Sequence, residues 1–137
     1  MRAFIDTSSL VKKYIEETGS EEFGILLKSL SEIVVSPITV LELHSAIERR
    51  LREGALQSSD AKWIEKEFTT DYDFFGVVEW NDELVKEGLR IIRAYQLRVL
   101  DAIQLSAALI SDSGLLVTSD KRLYQAARKV MSKTRFI

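Results

Sequence analysis

The sequence predicts an α/β fold with a central parallel sheet of about four to five strands covered by helices. Short apolar runs alternate along the chain with longer segments whose apolar residues recur at helical spacing. Residues that cap or end helices, such as Ser, Asp, Asn and Gly, separate the two kinds of segment. Strands that alternate with helices pair in parallel. No repeat, linker or low-complexity segment interrupts the chain, so residues 1–137 are predicted to form one domain.

The individual elements follow from these apolar patterns and from their flanking residues. Apolar runs of strand length are found at 2–5, Ile33–Ser36, Val77–Trp80, 115–118 and Thr134–Ile137. Helices are predicted from about Ser8 to Glu16 after a Thr7 or Ser8 cap, Ser20 to about Leu30, Ser36-Pro37 to about Arg52, Ser58 to about Asp71, Asn81 to a break near Gln96–Arg98, 101–111, and from Lys121. In the third of these helices, Pro37 is expected at the first position, where its missing N–H costs little.

The composition is that of an ordinary globular domain and excludes several function classes. A chain of 137 residues buries roughly two-thirds of its unfolded surface, and the hydrophobic content of 46% is typical. Zero Cys excludes disulfides, thiolate metal sites and a Cys nucleophile. No apolar stretch reaches the ~18 residues of a membrane span, and no signal peptide precedes the first strand, so a cytoplasmic location is expected. The net charge of −2 means that binding of nucleic acid requires a local basic patch.

Four acidic residues stand where the hydrophobic pattern breaks: Asp6, Glu42, Asp101 and Asp120. In an α/β fold such positions collect along one edge of the sheet. Four carboxylates in one small cleft repel each other unless protons or a cation neutralise them. A hard divalent cation such as Mg²⁺ is the natural partner of an all-oxygen site. The pattern therefore indicates a metal-dependent enzyme of phosphate transfer.

Each of these acids also has a purely structural interpretation. Asp6 and Asp120 could cap the helices that follow them, Glu42 lies three residues after Thr39 in the spacing of a capping box, and Asp101 stands in the same relation to Gln104. Caps and catalytic carboxylates share a location because helix N-termini follow strand ends. Single positions therefore leave both interpretations open.

Four segments around the acids resemble one known family in the correct order along the chain. They are FIDTSSLVKKY at 4–14, SPITVLEL at 36–43, LDAIQLSAA at 100–108 and LVTSDKRL at 116–123. With these segments the chain resembles the PIN-domain ribonucleases, most closely the VapC toxins of prokaryotic toxin–antitoxin pairs. The resemblance covers essentially the whole chain and implies a PIN-like three-layer α/β/α architecture.

The resemblance implies an endoribonuclease in which a cleft of acids binds Mg²⁺ or Mn²⁺ and cuts RNA by attack of water on a phosphodiester. Asp6, Asp101 and Asp120 would be the primary metal ligands, and Glu42 would ligate the metal or position the water. Thr118 or Ser119 would hydrogen-bond a ligand or the phosphate. A cognate antitoxin protein and a second copy of the chain are the expected partners. The family often has a further acid after the fourth, where this chain has Lys121 and Arg122, which disfavours a tightly held second metal.

Basic and aromatic residues have weaker functional interpretations. A phosphate-contact surface could be built from Arg49, Arg50, Arg52, Lys121, Arg122, Arg128 and Lys129, although charge runs more often form solvated helix faces. His44, the only histidine, lies at helical spacing from Val40 and Ile47 and is expected to be a packed or surface helix residue rather than a catalytic base. Trp63 and Trp80 are expected in the core or at an interface.

Three other classes of protein share part of this pattern. A receiver domain needs paired acids after its first strand and a phosphoacceptor Asp at the end of the middle strand, and the chain offers only Asp6 and then Glu79-Trp80 there. A PIN-like module that binds without cutting would lack an acid, and none is missing. A housekeeping PIN nuclease of RNA maturation is the third alternative, and the small size of the chain favours the toxin.

Overall fold

The protein is described here by a computed structural model that covers residues 1–137. The strands are β1 (Arg2–Ile5), β2 (Glu32–Val35), β3 (Gly76–Val77), β4 (Leu115–Thr118) and β5 (Thr134–Phe136). The helices are α1 (Thr7–Tyr14), α2 (Ser20–Leu27), α3 (Thr39–Arg52), α4 (Ser58–Tyr72), α5 (Asp82–Tyr95), α6 (Val99–Ile110) and α7 (Lys121–Val130). None of the helices is long and apolar enough to span a membrane.

The five strands form one parallel sheet in the order β3-β2-β1-β4-β5. The chain passes from β1 to β2 and β3 on one side and then returns to add β4 and β5 on the other side. The strand order therefore reverses between β1 and β4. In open α/β sheets ligands bind outside the carboxyl ends of the strands at this reversal. The predicted α/β fold with its parallel sheet is confirmed, and its topology directs attention to the chain just after β1 and β4.

Two hydrophobic cores lie on opposite faces of the sheet and give the three-layer α/β/α architecture. Alternate strand residues point to opposite faces. Ala3 and Ile5 of β1 belong to the core under α1, α2, α3 and α4, whereas Phe4 belongs to the core under α5, α6 and α7. In β4 the same alternation places Val117 in the first core and Leu116 in the second. Both central strands are thus buried on both faces, which explains their uninterrupted apolar runs.

Several predicted boundaries were wrong. Helix α2 ends at Leu27, α3 begins at Thr39, and α6 begins at Val99 instead of at residue 101. Pro37 precedes α3 in a turn, in which the Thr39 N–H donates to the Ser36 carbonyl at 3.2 Å.

The third strand is also shorter than predicted. Only Gly76 and Val77 pair with β2, since β2 ends at Val35, the partner of Val77, and the following Glu79 and Trp80 are exposed. The break before α6 is where predicted, with Gln96 in the left-handed conformation at φ 53°.

Candidate active site

The four acids predicted from the sequence lie at the carboxyl edge of the sheet around the reversal in strand order. Asp6 directly follows β1, and its backbone N–H donates to the Val117 carbonyl of β4 at 2.9 Å. Asp120 follows β4 after one intervening residue. Glu42 and Asp101 reach the same region from helices α3 and α6. Glu42 accepts a hydrogen bond from Thr7, the residue after Asp6, and the charge of Asp101 acts on Glu42.

Each of the four acids lies at the N-terminal end of a different helix. Asp6 and Asp120 occupy the N-cap positions of α1 and α7, and Glu42 and Asp101 lie in the first turns of α3 and α6. A helix N-terminus carries partial positive charge and free backbone N–H groups, worth typically about 0.3–1 kcal/mol for a nearby anion. Four such ends offset part of the repulsion among the carboxylates and favour binding of a phosphate at the same place.

Asp6 is a buried carboxylate held by two hydroxyl groups. Its side chain is 5% exposed, and Oδ2 accepts hydrogen bonds from Ser8 and, at 2.8 Å, from Thr118. Burial raises the pKa of the Asp6 carboxyl to about 6, although the two hydrogen bonds lower it. The charges of Glu42 and Asp120 raise the pKa as well. The ionised form of Asp6 is therefore disfavoured in the protein alone, and a nearby cation would stabilise it.

Glu42 is held in place by residues from two other helices. Its Oε1 accepts a hydrogen bond from the Thr7 hydroxyl at 2.9 Å and another from the Gln104 side-chain amide. The same amide group lies 3.2 Å from the Thr7 hydroxyl. Burial raises the pKa of Glu42 and the charge of Asp101 adds to the rise, whereas the two hydrogen bonds lower the pKa. Glu42 is thus oriented by contacts that join α1, α3 and α6.

Asp101 has an oxygen atom without a hydrogen-bond partner. Its side chain is 16% exposed, its Oδ2 is buried and unbonded, and the Arg98 guanidinium lies 3.8 Å from that atom. Burial and the charge of Asp120 raise the pKa of Asp101, and the charges of Arg98 and Arg122 lower it. An unpaired buried carboxylate oxygen is costly, so this atom is where a cation would be most stabilising.

The four carboxylates interact as a closed ring of repelling neighbours. Glu42 and Asp120 act on Asp6, Asp101 acts on Glu42, and Asp120 acts on Asp101. No three of the His, Asp and Glu side chains converge closely enough to hold a metal ion between them as they stand. The four carboxylates are close enough to repel each other but do not converge on one point. Asp6 and Glu42 instead direct oxygen atoms toward hydroxyl and amide donors of the protein.

Of the four structural interpretations, only the one for Asp120 is confirmed. The Leu123 N–H donates to Asp120 Oδ1 at 3.0 Å, so Asp120 caps α7. Asp6 occupies an N-cap position, but its carboxylate accepts no capping hydrogen bond. The N-caps of α3 and α6 are Ile38 and Arg98, so neither predicted capping box forms. Glu42 and Asp101 lie four and three residues after these N-caps, so neither is at the position that its capping box requires.

Thr118 and Ser119, which were predicted to hydrogen-bond a ligand or the phosphate, make different contacts from each other. Thr118 is buried, donates to Asp6, and accepts the Asp120 backbone N–H at 3.0 Å, so it links two of the acids. Ser119 is half-buried and its hydroxyl lies 2.8 Å from that of Ser9. A phosphate contact by Ser119 stays a prediction.

Gln104 is the member of the site that sequence reasoning missed, since it was considered only as a capping-box partner of Asp101. It is 1% exposed, its amide holds Glu42, and its Oε1 has no hydrogen-bond partner. A polar residue three positions after Asp101 shares its helix face. The available signal in the sequence was a glutamine within an apolar run, three residues after an acid.

The basic residues predicted as a possible phosphate surface lie on two helices, α3 and α7. Arg49 and Arg50 line a groove next to Glu42. Arg128 and Lys129 lie over the rings of Tyr124 and Tyr95 on α7 and α5.

His44 is a half-buried residue of α3. Its Nδ1 lies 2.8 Å from the Val40 carbonyl and its ring packs edge-on against Phe68. The ring therefore contacts α4 at the margin of the core between α3 and α4.

The raised pKa of Asp6 predicts a pH-dependent cost to stability. The folded protein binds this proton up to about pH 6 and the unfolded chain only up to about 3.8, so stability falls as pH rises through that window. The Asp6→Asn protein should therefore unfold at higher denaturant than wild type at pH 7.5 in EDTA, by up to about 3 kcal/mol. The advantage should disappear near pH 4. An equal difference at both pH values would show that ionisation of Asp6 is not the cause.

The fold and the site define the class of protein: a parallel α/β domain with acids at the carboxyl ends of its two central strands. A model of the PIN domain family matches residues 3–129, which is most of the chain. The chain belongs to the PIN-domain family, and the resemblance drawn from the four sequence segments is confirmed at this level. No match was found among curated proteins.

Solved structures from bacteria have the same fold. FitAcB from Neisseria gonorrhoeae is 15% identical with a TM-score of 0.72, covering 97% of this chain and 96% of that one. VapBC2 from Rickettsia felis, bound to a DNA fragment from its promoter, is 12% identical with a TM-score of 0.71, covering 100% and 99%. VapC20 from Mycobacterium tuberculosis, described as a sarcin-ricin loop cleaving toxin, is 13% identical with a TM-score of 0.71, covering 90% and 94%. At these identities the likeness concerns the fold.

Proposed function

We propose that the chain is a metal-dependent endoribonuclease that hydrolyses RNA phosphodiesters and is the toxin of a VapBC-type toxin–antitoxin pair. The observation that carries the proposal is the ring of four interacting carboxylates at the reversal in strand order, where Asp101 has a buried oxygen without a hydrogen bond. A site whose acids resist ionisation in the protein alone is one that gains most from a bound cation.

The residues fit Mg²⁺ or Mn²⁺ as the cation. All donors are carboxylate oxygens, which hard divalent cations prefer. Asp101 Oδ2 has no hydrogen bond, and burial together with mutual repulsion raises the pKa values of Asp6, Glu42 and Asp101, so a bound cation would stabilise their ionised forms. Asp6, Asp101 and Asp120 would hold the ion, with Glu42 as a further ligand or as the residue that positions water. When bound, such an ion neutralises phosphate charge and acidifies the attacking water.

The protein itself contributes orientation and proton handling. The helix N-termini that carry the acids offer backbone N–H groups to the oxygens of a phosphate. Glu42 has one oxygen, Oε1, occupied by the Thr7 and Gln104 donors, which leaves Oε2 to accept a proton from water. A raised pKa makes Glu42 a better proton acceptor than an ordinary carboxylate. Ser119 lies in the adjoining groove, where its hydroxyl can donate to a phosphate oxygen.

The toxin assignment rests on the family resemblance and on the neighbouring folds. FitAcB, VapBC2 and a toxin–antitoxin complex from Klebsiella pneumoniae cover nearly the same length as this chain. The proposal includes an antitoxin partner, in which an Arg could pair with the carboxylates, and a homodimer. The second candidate, a housekeeping PIN nuclease of RNA maturation, would use the same site on a different RNA.

The activity is tested with single-stranded and hairpin RNA incubated with the purified protein. Cleavage is expected with millimolar Mg²⁺ or Mn²⁺ and is expected to stop when EDTA is added, because the carboxylates need a cation to receive a phosphate. The products are resolved on a denaturing gel. Equal cleavage with and without EDTA would remove the metal from the proposal, and binding of RNA without cleavage would support the non-cutting module.

A melting experiment tests the metal site without substrate. A ligand that binds only the folded state stabilises it by RT ln(1 + [L]/Kd), so Mg²⁺ or Mn²⁺ should raise the melting temperature of the wild-type protein. The Asp101→Asn protein should melt higher than wild type without metal and respond less to it. An undiminished metal response in that variant would exclude Asp101 as a ligand.

A further inference from the structure

We propose that Arg49 binds a backbone phosphate of single-stranded RNA about three nucleotides away from the phosphate at the carboxylates. The inference rests on the proposed function and adds to it a second contact for the same strand. The sequence indicated seven basic residues as possible phosphate contacts, and the inference assigns such a contact to one of them.

A groove leads away from the acidic site along helix α3. It has a volume of about 680 Å³. Thr7, Ser8, Glu42 and Ser119 line the end next to the acids, and cationic side chains line the other end. Asp6, Asp101 and Asp120 lie outside its lining, so the groove adjoins the carboxylate ring instead of containing it. A ligand at the acids that extends along α3 must pass through this groove.

Only one of the three cations in the groove is free to bind a ligand. Lys12 and Arg50 both pair with Glu17, at 3.1 and 2.9 Å, and they also donate to the carbonyls of Thr18 and Ala46. Their side chains are 9% and 18% exposed. Arg49 is exposed, and its side chain makes no hydrogen bond or ion pair within the protein. Its guanidinium is therefore available for a phosphate. Lys12 and Arg50 share the single carboxylate of Glu17, so their cluster beside Arg49 carries a net positive charge.

The spacing along α3 fits a strand that contacts both ends of the groove. Glu42 and Arg49 are seven residues apart, which is two turns on one helix face and about 10.5 Å along the axis. A stacked nucleic-acid strand advances about 3.4 Å per nucleotide. A phosphate at the carboxylates and a phosphate at Arg49 are therefore separated by about three nucleotides.

Two exposed leucines in the groove favour a single strand over a duplex. Leu41 and Leu100 are 74% and 53% exposed, and both line the groove. The bases of a single strand have no pairing partner and can turn an apolar edge or face to such side chains, whereas the bases of a duplex are paired and enclosed. A strand that places phosphates at Arg49 and bases on the leucines satisfies the charge and the apolar surface together. An acidic peptide would satisfy Arg49 but would bring its carboxylates toward Glu42.

The experiment compares Arg49→Ala with Arg52→Ala, a matched control. Arg52 lies on the same helix, is exposed and forms no ion pair, but it does not line the groove. Affinity for a labelled single-stranded oligoribonucleotide is measured in EDTA over a range of salt concentrations, so that no cleavage occurs and the contact at Arg49 is measured apart from the phosphate at the carboxylates. Arg49→Ala should weaken binding about tenfold and lower the salt slope by about 0.7, the value for one phosphate contact on a single strand. Arg52→Ala should stay within about twofold of wild type. With Mg²⁺, Arg49→Ala should raise KM and leave kcat nearly unchanged.

The outcomes separate this inference from the proposed function. Absence of cleavage by the wild-type protein would contradict the nuclease, while the binding comparison in EDTA would still decide on Arg49. Equal weakening by both substitutions would mean that only net charge matters and would overturn the inference. Unchanged RNA affinity in Arg49→Ala, together with lost binding of a polyglutamate peptide, would assign the groove to a protein partner and would also overturn it.

Discussion

Replacing Asp101 with Asn is expected to lower the rate of metal-dependent RNA cleavage by roughly a hundredfold to a thousandfold. Asn keeps the shape of the side chain but removes the charge of the one acid that has a buried oxygen without a hydrogen bond. The loss should be mainly catalytic, because Asp101 is not the cap of α6 and its removal relieves repulsion from Asp120. Initial rates on one RNA substrate, with melting curves for each variant, measure both effects.

The other three acids extend this prediction. Asp6→Asn and Asp120→Asn should lose activity to a similar degree, and Glu42→Gln by about a hundredfold. Asp120→Asn should keep its fold, since Asn caps a helix nearly as well as Asp.

A control for charge and helix position is Asp82→Asn. Asp82 lies in the first turn of α5 and is exposed, so it matches Asp101 in helix position but lies outside the ring of carboxylates. Its substitution should leave cleavage unchanged. Normal cleavage by Asp101→Asn, or an equal loss in Asp82→Asn, would show that Asp101 does not take part in the reaction.

The elements that the sequence predicted well are those whose pattern is fixed by burial. Strands β1 and β4 are central and covered on both faces, so their runs are apolar throughout and easily found. The Asn81 cap of α5 was also predicted, because capping is a local interaction; its side chain accepts from the Leu84 N–H at 3.0 Å. The edge strand β3 was overestimated, since pairing there depends on how far its neighbour β2 extends.

The site was predictable in its charges and not in its contacts. Breaks in the apolar pattern identified all four acids, and the parallel sheet brought them to one edge. The start of α6 at Val99 was missed. Val99 and Leu100 are apolar but 62% and 53% exposed, so their burial does not mark them as part of the helix, and the polar Asp101 looked like its first residue. The hydrogen bonds from Thr7 and Gln104 to Glu42 join residues 35 and 62 positions apart. Such contacts depend on how three helices pack and leave no mark on local spacing.

Expression of the wild-type protein alone in a bacterial host is expected to arrest growth. If the site cleaves RNA in the cell and the chain is the toxin of a pair, uncontrolled cleavage stops growth until a partner blocks the acids. The Asp6→Asn form should permit normal growth at the same expression level, because it lacks one charge needed to hold the cation. Growth curves and viable counts after induction, with immunoblots to match protein levels, measure the difference.

Recovery of growth distinguishes the toxin from a housekeeping nuclease. Co-expression of the protein encoded by the reading frame directly upstream should restore growth if that protein is the antitoxin, and Asp82→Asn should arrest growth as wild type does. Arrest by wild type and by Asp6→Asn alike would point to the burden of expression instead of RNA cleavage. Normal growth with a wild-type protein that cleaves RNA in vitro would favour the housekeeping nuclease, since such an enzyme acts on a restricted RNA and needs no antitoxin.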